Sequence, residues 1–410
     1  MDSFRTHLNE DKNAKNLHMM HLEDQVIYGG VKGTRQAIFA LRDMRDMLSG
    51  QKKGSVSVKW DGAPAVFAGI DPTDGVFFVA KKGIFNKNPK VYKTPADVDA
   101  DTTGDLSVKL KEALKYLSKL GIKGVIQGDF LFSKADVKKE KIAGDDYVTF
   151  HPNTIIYAFP EGSKPAQDVL RAKMGIVWHT TYTGASFETM KASFGVNVKA
   201  LKKTPDVFQQ DAMLADVSKF AMNAKETKQI NKDLMMAGKI FNQISGNVLR
   251  ELESNRPFAQ LIETFNNSHV RAGAAVKNTT KHVNLLIKWI DARFQKEADK
   301  RSTDKGKNAQ YAKRDEILKF FSPKNKIALK RIFDLQKLLV LAKLKLINTL
   351  NRFKKIKTFV KTVDGFKVTG EEGYVAIDKL GGGAVKIVDR LEFSYNNFSK
   401  DIIKGWDKAR

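Results

Sequence analysis

The period of the apolar positions changes three times along the chain, and each change marks a segment. Residues 1–50 read as helical. Ile38, Leu41, Met44 and Leu48 recur at spacings of three and four, which places them on one face of a helix that Thr34 could cap. Gly29, Gly30 and Gly33 interrupt the chain before that helix, and Gly50 and Gly54 interrupt it afterwards. From Ser55 to about Phe159 the pattern becomes short strands between turn residues. Val56 and Val58 alternate with polar neighbours, and 66–67, 76–80, 125–127 and 155–158 follow. One helix, 107–120 and ended by Gly121, is predicted among them. Residues 186–356 read as helical throughout, with prolines only at 205, 257 and 323. Within that stretch 296–313 is polar enough to predict an exposed or mobile connection. Strands return after Lys357 at 367–368, 374–377 and 384–388, with Gly370, Gly373 and Gly381–Gly383 as turns.

This order predicts an α+β fold. A helical N-terminal region (1–50) precedes a β-rich domain in two sequence segments (51–185 and 357–410), which a large helical insertion (186–356) divides. The length of 410 residues suffices for two or three cores, and the 42% hydrophobic content excludes a disordered chain. No cysteine is present, which excludes disulfides, thiolate catalysis and cysteine-type zinc sites and fits a reducing cytoplasm. The first ten residues are polar, so no leader peptide is expected. The longest apolar run, 338–342, is too short to span a bilayer, so no membrane partner is expected.

Charge adds a partner. The 71 basic residues exceed the 46 acidic ones by 25, which points to a polyanion, nucleic acid before an anionic membrane surface. Between Phe321 and Lys361 twelve Lys and Arg face one acid, Asp334, which makes the basic helical insertion the expected seat of nucleic acid.

Candidate chemistry begins at Ser55-Val-Ser-Val-Lys59-Trp-Asp61-Gly62. A lysine at the end of a strand, beside a tight turn, can present its amine to a phosphate, and cationic neighbours would lower its pKa towards a nucleophile. The pattern is short, and by itself also describes a surface lysine before a turn. Further stretches follow in order: Ala80-Lys81-Lys82-Gly83, Val125-Ile-Gln-Gly128-Asp129-Phe130, Ile155-Ile-Tyr157-Ala-Phe159, Glu371-Glu372-Gly373-Tyr374-Val375 and Ala384-Val-Lys386-Ile-Val-Asp-Arg390.

This series resembles the ordered motifs of the covalent nucleotidyltransferase superfamily, which comprises ATP-dependent DNA and RNA ligases and mRNA-capping enzymes. The resemblance covers about 55–160 and 365–390. The rest of the chain resembles uncharacterised proteins of tailed bacteriophages, which would place it in the host cytoplasm. The resemblance implies a ligase-type domain of antiparallel sheets that uses ATP and Mg2+. It makes Lys59 the residue that carries AMP, within the motif completed by Asp61 and Gly62. Lys82 would contact a phosphate or ribose. Asp129 would hold the ribose or a metal-bound water, and Phe159, before Tyr157, would stack on adenine. Glu372 would bind a divalent cation near the α-phosphate, with Glu371 its exposed neighbour, and Lys386 would stabilise charge on that phosphate. The implied activity is joining of 5′-phosphate to 3′-hydroxyl ends, on RNA before nicked DNA. Ligases of DNA and capping enzymes generally carry a small β-barrel after the last motif, and too few residues follow Arg390 for one. The alternatives are a capping-type transfer and a non-catalytic, basic nucleic-acid-binding protein with a decayed ligase core. Three positions depart from the pattern: Val388 replaces a second lysine, Asp129 stands where many relatives have glutamate, and Pro64 where a polar residue or arginine is common.

Two histidine groups are weaker candidates. His179 reads as a buried, hydrogen-bonded side chain rather than an acid or base, because no partner acid can be named. His18 and His21, with Glu23 and Asp24, read as helix-surface residues rather than a metal site.

Overall fold

The computed structural model describes residues 20–52, 54–214, 222–352, 356–377 and 384–406. The N-terminal residues before Met20, His18 among them, and the expected Gly381–Gly383 turn lie outside these.

Sixteen strands are found among the described residues: β1 (Ser55–Lys59), β2 (Ala65–Ile70), β3 (Phe77–Ala80), β4 (Val125–Ser133), β5 (Lys138–Ile142), β6 (Asp145–Phe150), β7 (Ile156–Pro160), β8 (Met174–Thr183), β9 (Lys191–Phe194), β10 (Val207–Asp211), β11 (Met213–Leu214), β12 (Lys357–Thr362), β13 (Gly365–Val368), β14 (Gly373–Ile377), β15 (Ala384–Ile387) and β16 (Ile402–Ile403). They form three sheets: β11-β1-β14-β15; β10-β8-β4-β2-β3 with β9 beside β8; and β13-β12-β7-β6-β5 with β16 beside β12. Pairing is antiparallel except between β10 and β8, which run parallel. The fold is therefore of mixed α and β structure with mainly antiparallel sheets.

The helices of the N-terminal half are α1 (Gln25–Tyr28), α2 (Gly30–Leu48), α3 (Pro95–Asp101), α4 (Gly104–Leu117) and α5 (Lys164–Arg171). Those that follow are α6 (Ala224–Asn242), α7 (Gly246–Ser254), α8 (Arg256–Arg271), α9 (Thr279–Asp299), α10 (Asp304–Leu318), α11 (Pro323–Asn351) and α12 (Arg390–Phe398).

The sheet that carries β1 is central. One face sends Val56, Tyr374, Ala376 and Ile387 into a large helical core shared with Leu41 and Met44 of α2, Ile230 and Leu234 of α6, Phe258 and Ile262 of α8, and Leu339 and Leu346 of α11. The N-terminal helices and the insertion thus bury their apolar stripes against one another and belong to a single core, not to two regions. Thr34 does not cap α2; it lies inside the helix and its hydroxyl donates to the carbonyl of Gly30. The glycines serve the sharp α1–α2 corner instead. Gly30 has φ +56°, and a Cβ there would lie 2.1 Å from the Glu253 carboxylate.

The second sheet packs Val66, Ile126, Phe130 and Trp178 against α4, with Leu110, Ala113 and Leu117 on the facing stripe. The predicted helix over 107–120 corresponds to α4 plus a short 3-10 turn, closed by Gly121 at φ +64°. The third sheet shares an aromatic core of Trp60, Phe132, Phe150, Tyr157 and Phe208.

Two expectations from the pattern fail. Residues 186–214 are not helical, because β9, β10 and β11 lie there; the helices begin at Ala224. The polar stretch 296–313 is not a connection but the end of α9 and most of α10. Thr303 caps α10 by accepting from the amide of Gly306, and the lysines, alanines and glutamine of 304–314 are strong helix formers, although no residue of α10 is buried.

The basic run is also largely engaged within the protein. On α11, Lys343 is buried and paired with Glu23, Lys345 with Asp233 at 2.5 Å, and Lys330 with Asp334 at 2.6 Å. Arg352, just after it, pairs with Glu226 at 2.7 Å. No helix among the described residues is long and apolar enough to cross a membrane.

Candidate functional site

β1 ends at Lys59, and its register sets Lys59 opposite Gly373 and Ser57 opposite Val375, which in turn faces Lys386 on β15. Residues opposite one another, and those two apart along a strand, share a face. Lys59 and Lys386 therefore project from the face of the central sheet that the helical core leaves free. Glu372, one residue before β14, reaches across so that its Oε1 pairs with Lys59 Nζ. The Glu372 side chain is only 9% exposed, whereas that of Lys59 is 37% exposed, so the amine stands at the mouth of the site and the acid beneath it.

The turn after Lys59 is fixed by Asp61. Its carboxylate accepts from Asn153 Nδ2 at 2.6 Å, Thr154 N at 2.7 Å, Thr154 Oγ1 at 2.5 Å and Ile155 N at 2.8 Å. Its own amide donates to the Tyr157 hydroxyl at 2.7 Å, and the Tyr157 ring stacks on Trp60 with centroids 4.6 Å apart. Asp61 is thus a buried anchor that ties the Lys59 turn to the loop before β7. Gly62 lets that turn press on β4, since a Cβ would lie 2.6 Å from the Cβ of Asp129. We expect Asp61→Asn to lower stability by about 2–3 kcal/mol, because one accepting oxygen becomes a donor facing amides. An unchanged thermal unfolding midpoint would remove Asp61 from this anchoring role.

Asp129 is a strand residue, not a turn acid, paired with Ala65 on one side and Val177 on the other. Between β4 and β8 the register slips: Gln127 faces Thr180 and Gly128 faces Trp178, so His179 is the extra residue of a bulge. The bulge turns the ring so that His179 Nε2 lies 3.6 Å from Asp129 Oδ2, while Nδ1 contacts Thr180 Oγ1 at 2.8 Å. His179 therefore has a partner acid and is 28% exposed, which corrects its reading as a buried side chain. A one-residue register slip leaves no mark in the sequence, so this pair was not legible there.

Electrostatics unites the group. Burial pushes the Glu372 carboxyl up to about 7 against the pull of the Lys59 ammonium, and the charges of Asp61 and Asp129 push the same way. Lys386 is lowered, first by burial and then by the like charge of Lys59. Glu372 thus lies within electrostatic reach of Lys59, Asp61, Asp129 and Lys386. The register beyond Phe67–Ala80 carries Lys82 towards Ala65, at the same end of the second sheet as Asp129. Lys82 is exposed, while its neighbour Lys81 pairs with Asp101 at 3.0 Å.

Three assignments are corrected by the structure. Phe159 is 4% exposed and lies against Phe150 and Phe208 in the aromatic core, so no face of it is open to a base. Tyr157 is likewise fully buried. Glu371 is not exposed but half-buried, and with Glu372, Thr154, Asp389, Glu392 and Asn396 it lines a small cleft. The departing position Val388 is fully buried and sits against Gly373, where a Cβ would come within 2.4 Å of it.

Below the sheet lies a buried charged network that the sequence disguised. Glu23 and Asp24 are 5% and 1% exposed and are not helix-surface residues. Lys343 Nζ contacts both Glu23 oxygens, at 2.7 and 2.9 Å, and Arg390 pairs with Asp24 at 2.9 Å and donates to Asn267 at 2.6 Å. Burial holds His21 neutral, near pKa 3, with Lys386 among the cations that lower it further. The network therefore reaches the underside of the site.

Among the described residues no group of three or more His, Asp or Glu side chains converges to hold a metal ion. Mg2+ at a phosphate needs only one or two carboxylates besides substrate oxygens, and Glu372 and Asp129 fit that smaller demand.

No curated protein and no solved structure matches the chain. A family profile does match, over residues 16–402, and its description is a family of unknown function, DUF6267. The match spans nearly the whole sequence, so the chain belongs to the DUF6267 family.

Proposed function

We propose that this protein is an ATP-dependent polynucleotide ligase, with RNA before DNA as substrate, that works through AMP bound to Lys59. The observation that carries the reading is the meeting of Lys59, Glu372 and Lys386 on the sheet face away from the helical core, from segments that are far apart in sequence. An amine beside a half-buried second amine and a buried carboxyl is the arrangement that phosphoryl attack by lysine needs.

In the first step Lys59 Nζ attacks the α-phosphorus of ATP. A P–N bond forms, the bond to the β-phosphate oxygen breaks, and pyrophosphate leaves. The ammonium proton passes to the Glu372 carboxylate, which lies in contact with it and whose raised pKa makes it the better acceptor. Lys386 meets the charge that accumulates on the α-phosphate. A 5′-phosphate oxygen then takes the adenylyl group and frees Lys59, and a 3′-hydroxyl displaces AMP to close the strand. Mg2+, held by Glu372 and Asp129, would supply charge neutralisation on the phosphates. His179, whose Nε2 lies 3.6 Å from Asp129 Oδ2, would steady that carboxylate when protonated.

Incubation with α-labelled ATP and Mg2+, followed by a denaturing gel, tests the reading. The expected result is an acid-labile labelled band that appears with ATP and Mg2+. Label from GTP in place of ATP would favour a capping-type transfer. No label from ATP, GTP or NAD, with Mg2+ or Mn2+, would overturn the ligase reading. The buried Val388, where a second lysine was expected, favours in that case a non-catalytic nucleic-acid-binding protein.

A further inference from the structure

Three large aromatic side chains near the end of the described chain are exposed. Tyr395 and Phe398 stand one turn apart on α12, 38% and 59% exposed, and Trp406 is 55% exposed. Two of them carry a cation. The Arg271 guanidinium lies 5.1 Å from the centre of the Phe398 ring, and Lys404 Nζ lies 5.4 Å from that of Trp406. Lys404 also donates to the carbonyl of Asn397 at 2.9 Å, which joins the two halves of the strip.

The strip is anchored beside the Lys59 turn. The amide of Gly405 donates to Asn153 O at 2.7 Å, and a Cβ at Gly405 would lie 1.9 Å from His151 O. Only glycine allows so close an approach. Asn153 is also the residue whose side chain donates to Asp61. At the other end of α12, the ring of Phe393 lies 5.6 Å beneath Lys386 Nζ. Both ends of the strip are therefore tied to the site, one through Asp61 and one through Lys386.

Rings left in water gain nothing for a folded monomer unless something covers them. An aromatic face bearing a cation, on a chain with 25 more basic than acidic residues, is complementary to a partner that offers flat rings and negative charge together. Single-stranded nucleic acid offers both, whereas a duplex keeps its bases stacked on one another. We propose that Tyr395, Phe398 and Trp406 form a stacking platform for single-stranded nucleic acid, with Arg271 and Lys404 meeting its phosphates. As the path of a strand end towards Lys59, the platform rests on the polynucleotide reading above.

The test uses the full chain, a fluorescein-labelled, 5′-phosphorylated single strand of unstructured sequence, and the same strand annealed to its complement. The single strand quenches tryptophan emission in a saturable way, and anisotropy shows Trp406→Ala and Phe398→Ala each binding it about tenfold more weakly. Trp406→Phe keeps most of the affinity, and the annealed duplex loses little with any variant. Equal affinity of wild type and both alanine variants for the single strand would overturn the platform, as would an equal loss for the duplex. Ring-dependent binding without self-labelling by ATP would sink the ligase reading and leave the platform standing. Self-labelling with ring-independent binding would sink the platform alone.

Discussion

If the protein is the ligase proposed above, Lys59→Ala is expected to abolish transfer of labelled AMP to it, by a factor of more than about a thousand, because no other amine occupies that position. Lys386 cannot substitute. It sits on the second strand over, half-buried and opposite Val375 rather than Gly373. Lys59→Arg is expected to fail equally, since a guanidinium keeps its proton and cannot attack. The same variant has a stability signature that a mere surface lysine would not show. Its removal leaves Glu372 without the neighbouring ammonium, so the carboxyl, already near 7, rises further above its unfolded value. A group whose folded pKa is raised contributes stability below its unfolded pKa and loses it as pH rises through the folded one. Lys59→Ala should therefore melt close to wild type at pH 5 and fall behind it at pH 8. Labelling of the alanine variant would sink the nucleophile assignment, and a pH-independent melting difference would sink the Glu372 pairing.

The largest expected loss of stability comes from Lys343→Met. The ammonium is 1% exposed and serves both oxygens of Glu23, so its removal strands a buried carboxylate and costs about 3–5 kcal/mol. Burial opposes ionisation of Glu23, but Lys343, with Arg390, overrides it and holds the carboxyl below its usual range. In the wild type this pairing is present above the ordinary carboxylate pKa and is lost as pH falls through the depressed one. In Lys343→Met the sign reverses, because an unpaired buried Glu23 prefers its proton, so the variant is hurt less at pH 5 than at pH 8. The double change Lys343→Met with Glu23→Leu should recover most of the loss, since a buried pair replaced by apolar groups of similar size is often neutral. Chemical unfolding of the three variants at the two pH values checks this. A double variant no more stable than the single one would show that the pair is not an isolated unit.

What the sequence made legible was whatever has a period or a fixed spacing. The alternation around Val56 and Val58, the stripe of α4, and the order of the stretches containing Lys59, Asp129, Glu372 and Lys386 all correspond to elements that meet in space. The residues missed are those whose role depends on a partner from elsewhere. Phe159 shares one face of its strand with Tyr157, and only the packing of Phe150 and Phe208 shows that its ring is enclosed. His179 needed the register slip to find Asp129. Glu23, Asp24 and Lys343 look like ordinary helix-surface charges because their partners are hundreds of residues away. The strand β5, Lys-Lys-Glu-Lys-Ile, hides for another reason. It is an edge strand, and charged edges are how sheets avoid pairing with other chains.

The placement of β1 between β11 and β14 has a consequence for synthesis. Glu372 lies 313 residues after Lys59, from 372 minus 59, and β14 supplies one of the two neighbours that β1 requires. At about 5–20 residues per second the ribosome needs on the order of 15–60 s to cover that distance. Throughout that interval β1 lacks its β14 neighbour, and the core beneath Val56 is completed only when α11 has been made, at Asn351. The nascent chain must therefore hold its first strand in waiting, and a shortage of chaperones should reduce the yield of this protein before it reduces the quality of what folds.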